Sequence, residues 1–494
     1  MKVLLVNPEY PITYWSFRHA LSFEGKRSAF PPLALTTISA MLPRTWERKL
    51  VDLNVCRLKS ADIEWADMIF ASAMLVQKES LIDVVKRSKA KGKRVVVGGP
   101  FISSAIEKIP GVDHIFLGEA ETTLPTFIED LKRGEAKEVY QAAQRPSLYE
   151  TPIPDFGLAD LKRYSMMGVQ YSRGCPFQCE FCDIIEIYGR VPRTKTPEQM
   201  LAEFDSLLAV GWRGTVFIVD DNFIGNKRNV KQLLPRITEW QERNGRPFTF
   251  ITEASVNLAD DDELLDGMRN AGFRRVFLGI ETPEEEGLRS ALKLQNIGGN
   301  LLDSVKKIQS YGMEVMAGFI VGFDTDKDDI FQRQINFIRE SAIPLAMVGL
   351  LSALPSTQLW RRLEQEGRLL GESNGNNTNG ELNFVPRMDA ELLRQGYRSI
   401  MRTIYRPREY YSRTLECLKR ISKTGPEQNN HSFIGSIMAL SRIVLRLGII
   451  DRERREFWSF VRHVIENHRE MFADAMRLAV MGYHFRKIVE SLSE

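Results

Sequence analysis

The chain has 494 residues and a mass of 56.6 kDa, which is too long for a single hydrophobic core, so we expect two or three domains. Its 67 basic residues nearly balance 64 acidic ones, which argues against nucleic-acid binding, because that function normally needs a basic face. We see neither a signal peptide nor a spanning apolar run, and five unevenly placed cysteines do not suggest a disulfide framework, so we expect a cytoplasmic protein.

Residues 1–145 alternate between short apolar runs and amphipathic stretches. One amphipathic stretch, residues 77–92, has a helical pattern and ends on Gly92. The runs predict buried parallel strands: "KVLLVN" (2–7), "DMIFASAM" (67–74), "RVVVGGP" (94–100) and "HIFLGE" (114–119). Strands alternating with helices indicate a doubly wound, Rossmann-like α/β domain, whose ligands bind at the carboxyl ends of the strands. Gly98, Gly99 and Gly118 would lie there.

The rest of the chain divides into three parts. Residues 146–165 are rich in proline and irregular, which predicts a linker. Residues 166–370 return to strand–helix alternation with six strand candidates, which predicts a partial or full βα barrel with its chemistry at the strands' carboxyl ends. Residues 371–494 start with a Gly- and Asn-rich loop, after which the pattern is helical.

Three of the five cysteines lie within eight positions, in "CPFQCEFC" after the first barrel strand: Cys175, Cys179 and Cys182. Thiolates are soft ligands that suit an iron–sulfur cluster or zinc. A structural zinc site needs four ligands, and no histidine lies nearby, so a cluster with one iron free of protein ligands is favoured over zinc. Three unrelated buried thiols are the simplest alternative.

This motif, at the end of the first strand of a predicted barrel, resembles the signature of radical S-adenosylmethionine (SAM) enzymes. The resemblance implies a 4Fe–4S cluster on the three cysteines. It also implies SAM chelating the fourth iron and reductive cleavage of SAM to a 5′-deoxyadenosyl radical, which removes hydrogen from an unreactive carbon. No catalytic residue is predicted.

The same resemblance assigns cofactor-binding roles one residue at a time. Phe181 would pack near the adenine, and Asp220, Asp221 and Asn222 would receive the amino group of SAM. The methionine and ribose groups would contact Glu253 and Ser255, and the later motifs "GIET" and "GFIVGF" supply Glu281, Gly318 and Gly322. Helix capping by the two aspartates, and a solvated strand end at Glu253, are the simpler alternatives.

The first domain resembles the cobalamin-binding domains of one class of these enzymes. The resemblance rests on "VVVGGP" followed by "DHIFLGEAETTLP" and places cofactor contacts at four residues: Gly98, Gly99, Gly118 and Glu119. The alternative is that the glycines only form tight turns. The D-x-H-x-x-G motif that supplies a histidine to cobalt is absent, and we expect His19 to pack on a helix face. Cobalamin would therefore bind without that histidine; the alternative is that the domain has lost cobalamin and retains only the fold.

The whole chain resembles the branch with an extra helical carboxyl-terminal domain, which includes hopanoid and bacteriochlorophyll side-chain methylases. The resemblance implies a cobalamin-dependent methyltransferase acting on an unactivated carbon of a hydrophobic, lipid- or tetrapyrrole-like, or natural-product substrate, with flavodoxin or ferredoxin as reductant. A radical SAM enzyme with a non-methylating outcome and a non-enzymatic metal protein are the alternatives.

One apolar helical stretch, "FIGSIMALSRIVLRLGII" (433–450), is interrupted by Arg442 and Arg446. Such a stretch is typical of a helix on a membrane surface or along a lipid-sized groove. A core helix of the last domain is the alternative.

Overall fold

The computed structural model describes residues 1–104, 109–376, 378–421 and 433–492, with the side chains of 433–436 excepted. It is an α/β protein with two six-stranded parallel sheets and a helical carboxyl-terminal region. The fold class is therefore as predicted, whereas the domain boundaries at 145, 165 and 370 stay predictions.

The amino-terminal sheet has the strand order β2-β1-β3-β4-β5-β6, and every pairing is parallel. Its strands are β1 Lys2–Asn7, β2 Glu47–Asp52, β3 Met68–Ser72, β4 Arg94–Gly98, β5 His114–Leu117 and β6 Val139–Gln141. The helices of this region are α1 Arg18–Glu24, α2 Leu33–Met41, α3 Ser60–Trp65, α4 Lys78–Lys89, α5 Pro100–Ser104 and α6 Thr123–Arg133. The strands β2 and β6 lie at the two edges of the sheet, and the sequence patterns did not predict them.

The second sheet follows the chain order β7-β10-β11-β12-β13-β14, as expected of a partial barrel. Its strands are β7 Met167–Val169, β10 Gly214–Ile218, β11 Phe248–Ala254, β12 Phe273–Glu281, β13 Glu314–Val321 and β14 Leu345–Leu350, and the short pair β8 Ser172–Arg173 and β9 Arg193–Thr194 lies outside it. Its helices are α7 Ile184–Ile187, α8 Pro197–Ala209, α9 Lys227–Arg243, α10 Asp262–Ala271, α11 Glu285–Ser290, α12 Leu301–Ser310, α13 Ile330–Glu340 and α14 Gln358–Gln365. All six predicted barrel strands are present.

The carboxyl-terminal region is helical, with α15 Ala390–Ile404, α16 Pro407–Ile421, α17 Phe433–Ile443, a π-helical segment Val444–Ile450, α18 Arg454–Asn467 and α19 Phe472–Ser491. These helices share one apolar core with the barrel and with the segment that follows β1. In that core, the Tyr14 hydroxyl donates to the Val348 carbonyl at 2.7 Å, and the His484 ring contacts the Tyr14 carbonyl at 3.2 Å. The segment after β1 and the last helix are therefore packed together against β14.

Candidate active site

The three clustered cysteines lie on a loop that leaves β7 and returns to the barrel wall. The antiparallel pair β8–β9 joins the two ends of this loop, with Arg173 opposite Arg193. Gly174 has φ of 95°, and a Cβ there would lie 2.8 Å from the Gly189 carbonyl oxygen, so only glycine fits at this point. The Cys175 amide donates to the same carbonyl at 3.1 Å. The loop is thus closed before its first cysteine.

Amide donors surround the thiols of this loop. The Asn222 side-chain amide lies 3.9 Å from Cys175 Sγ, and that of Gln295 lies 3.5 Å from Cys179 Sγ. Burial raises the pKa of the Cys182 thiol well above its usual range, and it raises that of Cys175 as well. Among the described residues, no three Cys, His, Asp or Glu side chains converge closely enough to hold a metal ion. The metal-ligand assignment of the three cysteines stays a prediction.

Residues between the cysteines anchor the loop to the far side of the barrel. Glu180 accepts hydrogen bonds from Arg362 of α14 at 2.7 and 3.1 Å, and its amide donates to the Ala291 carbonyl at 3.0 Å. The neighbouring Phe181 ring lies 6.3 Å from the Phe323 ring. Phe181, predicted to lie beside the adenine, therefore faces the strand end that carries the "GFIVGF" motif.

Asp220 holds the start of the cysteine loop rather than opening toward a ligand. It is fully buried, and its carboxylate accepts from the Tyr171 amide at 2.7 Å and from the Ser172 amide and hydroxyl at 2.8 and 2.6 Å. Both oxygens are therefore engaged by the backbone just before the cysteines. These contacts favour a positioning role over the predicted contact with an amino group.

Asp221 and Glu253 form an acidic spot at the carboxyl ends of β10 and β11. Burial, with the neighbouring carboxylates, raises the pKa of Asp221 to about 7 and that of Glu253 to about 8. Asp221 Oδ2 is buried without a hydrogen-bond partner in the described part of the chain. A cationic ligand at this spot would stabilise both carboxylates in their charged form.

Asn222 and Ser255 connect the same two strand ends. Asn222 Oδ1 accepts from the Ser255 amide at 3.3 Å, and its Nδ2 lies 3.2 Å from the Ser255 hydroxyl. The hydroxyl donates in turn to Asn257 at 2.6 Å. Since Asn222 also reaches Cys175, this pair ties the acidic spot to the cysteine loop.

A buried ion pair that the sequence did not predict lies at the end of β12. Lys293 Nζ contacts Glu281 Oε1 at 2.6 Å and lies 5.9 Å from the centre of the Phe181 ring. Although burial opposes the charge of Lys293, Glu281 and the cysteine thiols raise its pKa above the usual range. Glu281 adopts φ of 66°, which is uncommon outside glycine. No motif marks Lys293, so only the fold could reveal it.

The two predicted glycines of β13 differ in their surroundings. A Cβ at Gly318 would lie 3.2 Å from the Phe277 ring and 3.8 Å from Glu281, so this glycine lies beside the charged pair. Gly322 has φ of 105° and faces Leu393 of α15, and its amide donates to Asp326 at 2.7 Å. Gly318 lines the candidate site, whereas Gly322 serves a turn and its packing.

The predicted cobalamin contacts lie at the carboxyl ends of β4 and β5, as expected. Gly99 has φ of 100°, and a Cβ there would meet Ser72 Oγ at 2.6 Å, so close packing on β3 explains this glycine. A Cβ at Gly98 would touch Phe116 at 3.4 Å. Gly118 has φ of 78° and no described atom within 4 Å on its Cβ side, while its amide donates to the Ser103 hydroxyl at 2.9 Å, so its carbonyl and its Cβ side face outward.

Glu119 joins the amino-terminal sheet to the cysteine loop. This buried carboxylate contacts Arg173 at 2.6 Å and Arg193 at 2.7 and 3.0 Å. Glu121 contacts Arg173 at 2.8 Å and accepts from the Thr151 hydroxyl at 3.0 Å. The "GEAE" loop (118–121) thus meets the residues that precede the cysteines, and Glu119 is committed to protein cations rather than open to the predicted cofactor.

An aromatic cluster fills the barrel beneath these groups. Trp15, from the loop after β1, stacks on Phe217 with 6.1 Å between ring centres and lies 5.1 Å from the Phe277 ring. Phe277 is the residue that also borders Gly318. By contrast, His19 of α1 packs against His484, with 5.6 Å between ring centres, as expected of a helix-face residue.

Three family models match successive parts of the chain. They are a B12 binding domain over residues 27–128, the radical SAM superfamily over 169–338 and a domain of unknown function (DUF4070) over 357–494. A solved structure of the cobalamin-dependent SAM radical enzyme OxsB covers 99% of this chain and 80% of its own, with a TM-score of 0.64 and 17% identity. The fold and site thus define a radical SAM enzyme with a B12-binding domain.

Two curated relatives narrow the class. An uncharacterized methyltransferase of Synechocystis sp. is 44% identical over 98% of this chain and 91% of its own length. The hopanoid C-2 methylase of Rhodopseudomonas palustris is 35% identical over 94% of this chain and 90% of its own length. The chain belongs to their family, the B12-binding radical SAM methyltransferases.

In the part of the chain that the structure describes, none of the helices has the length and apolar character to cross a bilayer.

Proposed function

We propose that this enzyme is a cobalamin-dependent radical SAM methyltransferase that methylates an unactivated carbon of a hydrophobic, polycyclic substrate. The observation that carries the proposal is the buried contact of Glu119 and Glu121 with Arg173. It connects the B12-binding region to the residue two positions before Cys175. Chemistry that uses two cofactors on one substrate requires such a junction.

The residues present fit the cofactors of this family. Cys175, Cys179 and Cys182 offer three soft ligands, and the amides of Asn222 and Gln295 point at sulfur, an arrangement typical of iron–sulfur sites. The unpartnered oxygen of Asp221 and the half-buried carboxyl of Glu253 suit the amino group of SAM. The open backbone at Gly118 suits a corrin edge.

When bound, the cluster supplies the electron that cleaves SAM to a carbon radical, and cobalamin supplies a methyl group that can join a substrate radical. The chain's own residues orient the cofactor-binding loop and shield the site from water. Asp220 fixes the loop that starts the cysteine motif, and Glu281 holds the Lys293 ammonium group beside the Phe181 ring. Trp15 and Phe277 keep water from the barrel centre.

We propose a hopanoid-like polycyclic hydrocarbon as the substrate class. The full-length similarity to a hopanoid C-2 methylase supports it, and so do the rings of Phe217 and Phe277, which pack around Trp15. A flavodoxin- or ferredoxin-type protein would supply the electron. The enzyme would work in the cytoplasm at a membrane surface, where such substrates reside.

The test uses anaerobically reconstituted full-length enzyme, methyl-labelled SAM, cobalamin, a reductant and either a hopanoid or a tetrapyrrole in detergent. We expect labelled hopanoid together with equal amounts of S-adenosylhomocysteine and 5′-deoxyadenosine. Deoxyadenosine without S-adenosylhomocysteine would instead assign the non-methylating radical SAM alternative. Failure to cleave SAM at all would leave only a structural metal site and overturn the proposal.

A further inference from the structure

Exposed apolar side chains are concentrated on one stretch of the carboxyl-terminal region. In the described residues, twenty large apolar side chains are markedly exposed, and eight of them lie between 437 and 465. They belong to α17, the π-helical segment and α18, and are Ile437, Met438, Leu440, Leu445, Ile449, Ile450, Trp458 and Ile465. A concentration of this kind marks an interaction surface, whereas single exposed apolar residues do not.

The opposite faces of the π-helical segment and of α18 are packed, so the exposed side chains there are not a poorly formed core. Leu447 of the π-helical segment and Phe457, Phe460 and Val464 of α18 are all buried. The two arginines that interrupt the apolar stretch in sequence both make hydrogen bonds to other parts of the chain. Arg442 donates to the Phe23 carbonyl at 3.1 Å. The other, Arg446, donates to the Tyr483 hydroxyl at 3.0 Å. The outer face is therefore left apolar.

The π-helical segment and α18 form one surface because Trp458 connects them. Its indole nitrogen donates to the Gly448 carbonyl at 2.9 Å, and a Cβ at Gly448 would lie 2.8 Å from the indole ring. Glycine at this position lets the ring lie flat on the π-helical segment. Trp458 is nevertheless 43% exposed, between Ile449 at 59% and Ile465 at 50%.

Unpaired arginines border this surface. The residues Arg454, Arg455 and Arg462 help to line a shallow cavity of about 460 Å³ beside Trp458, and all three are exposed. Within the described ranges, these three arginines form no ion pair, although Glu453 and Glu456 flank Arg454 and Arg455 in the chain and Glu466 borders the adjoining cavity. Arginine beside tryptophan and aliphatic residues is the composition of helices that lie in a bilayer interface.

We propose that this docking face, formed by Leu445, Ile449, Ile450, Trp458, Ile465, Arg454, Arg455 and Arg462, binds the surface of an anionic lipid bilayer. The apolar residues would enter the headgroup boundary while the arginines pair with lipid phosphates. The inference deepens the proposed function, because it gives a bilayer-dissolved substrate a route to the enzyme.

The test is sedimentation of the full-length, cluster-loaded enzyme with vesicles of phosphatidylcholine alone or with one third phosphatidylglycerol. We expect at least tenfold stronger partitioning to the anionic vesicles, weakened by added salt. Combined Arg454→Glu, Arg455→Glu and Arg462→Glu should lower that partitioning by about 100-fold, given about fivefold per cationic residue at such a surface. The combined Leu445→Ser and Ile449→Ser substitutions should lower the partitioning to both types of vesicle, because they remove apolar contacts that do not depend on lipid charge.

The matched control replaces three exposed arginines outside this face, Arg44, Arg57 and Arg228, with glutamate and should partition like the wild type. Reductive SAM cleavage without vesicles should be equal in all variants, so failure to dock and failure of the proposed chemistry are separate results. Equal partitioning of wild type and the face variants would overturn the proposal. So would a concentration-dependent dimer that the same substitutions abolish, with no vesicle binding.

Discussion

Replacing Glu119 with glutamine tests whether the buried ion pairs align the two cofactor regions. The Glu119 side chain is 4% exposed and accepts three hydrogen bonds from two guanidinium groups, those of Arg173 and Arg193. Glutamine keeps the shape but removes the charge, and its amide nitrogen is a donor facing other donors. The substitution therefore changes charge and hydrogen bonding without creating a cavity.

The magnitude follows from which contacts remain. Each lost hydrogen bond to a charged group is worth about 1.5–3 kcal/mol, but Arg173 keeps Glu121 at 2.8 Å, and Arg193 keeps the Pro146 carbonyl at 2.6 Å. We expect a net loss of about 2–3 kcal/mol for Glu119→Gln, which weakens the junction about 30- to 150-fold. Adding Glu121→Gln leaves the buried Arg173 without a carboxylate and should bring the loss to about 3–5 kcal/mol.

The assay is the ratio of 5′-deoxyadenosine to methylated product, with the anaerobic thermal unfolding midpoint measured in parallel. We expect Glu119→Gln to raise that ratio, because SAM cleavage needs only the barrel whereas methyl transfer needs both regions aligned. The control is Glu129→Gln, which alters an exposed carboxylate on α6 of the same region. If Glu119→Gln matches this control in ratio and in unfolding midpoint, the junction does not align the cofactors.

Alanine at each of the three cysteines of the loop should abolish cluster content and deoxyadenosine formation, measured by iron analysis and chromatography, whereas Cys56→Ala, at an exposed thiol, should change neither. Glu253→Gln should raise the unfolding midpoint of the ligand-free protein at pH 8 but not at pH 4. Burial raises this carboxyl's pKa to about 8, so the wild type loses stability as pH rises from about 4.5 to about 8; a gain that persists at pH 4 would contradict this cause. Trp15→Ala should raise the KM for a polycyclic substrate at least tenfold with SAM cleavage preserved, and an unchanged KM would place the substrate elsewhere.

Sequence patterns predicted the buried strands well and the edge strands poorly. The six barrel strands and four of the amino-terminal strands are rich in apolar residues and largely buried, which is the signal of a buried parallel strand. The strand β2, "ERKLVD", lies at an edge, and only Val51 and Asp52 of it are buried. At the opposite edge, β6 spans three residues, too few to show a period.

The position of the candidate site was predictable from the sequence, but the hydrogen bonds and ion pairs of its residues were not. The motif after β7 indicated the three cysteines, and the strand ends indicated Asp220 and Asp221. Adjacent aspartates look alike in sequence, yet one is engaged by the Tyr171 and Ser172 amides and the other has an unpartnered oxygen. Which cation meets which carboxylate depends on contacts between residues far apart in the chain.

The bond between Tyr14 and His484 has a consequence for biosynthesis. These residues are separated by 470 positions, so the aromatic segment after β1 leaves the ribosome long before its partner helix exists. Until α19 is made, Tyr14 and Phe23 lack part of the core that covers them. The apolar side chains near the amino terminus of a nascent chain therefore stay partly exposed, and open to aggregation, through nearly all of translation. A copy truncated before α19 would keep those side chains exposed to solvent.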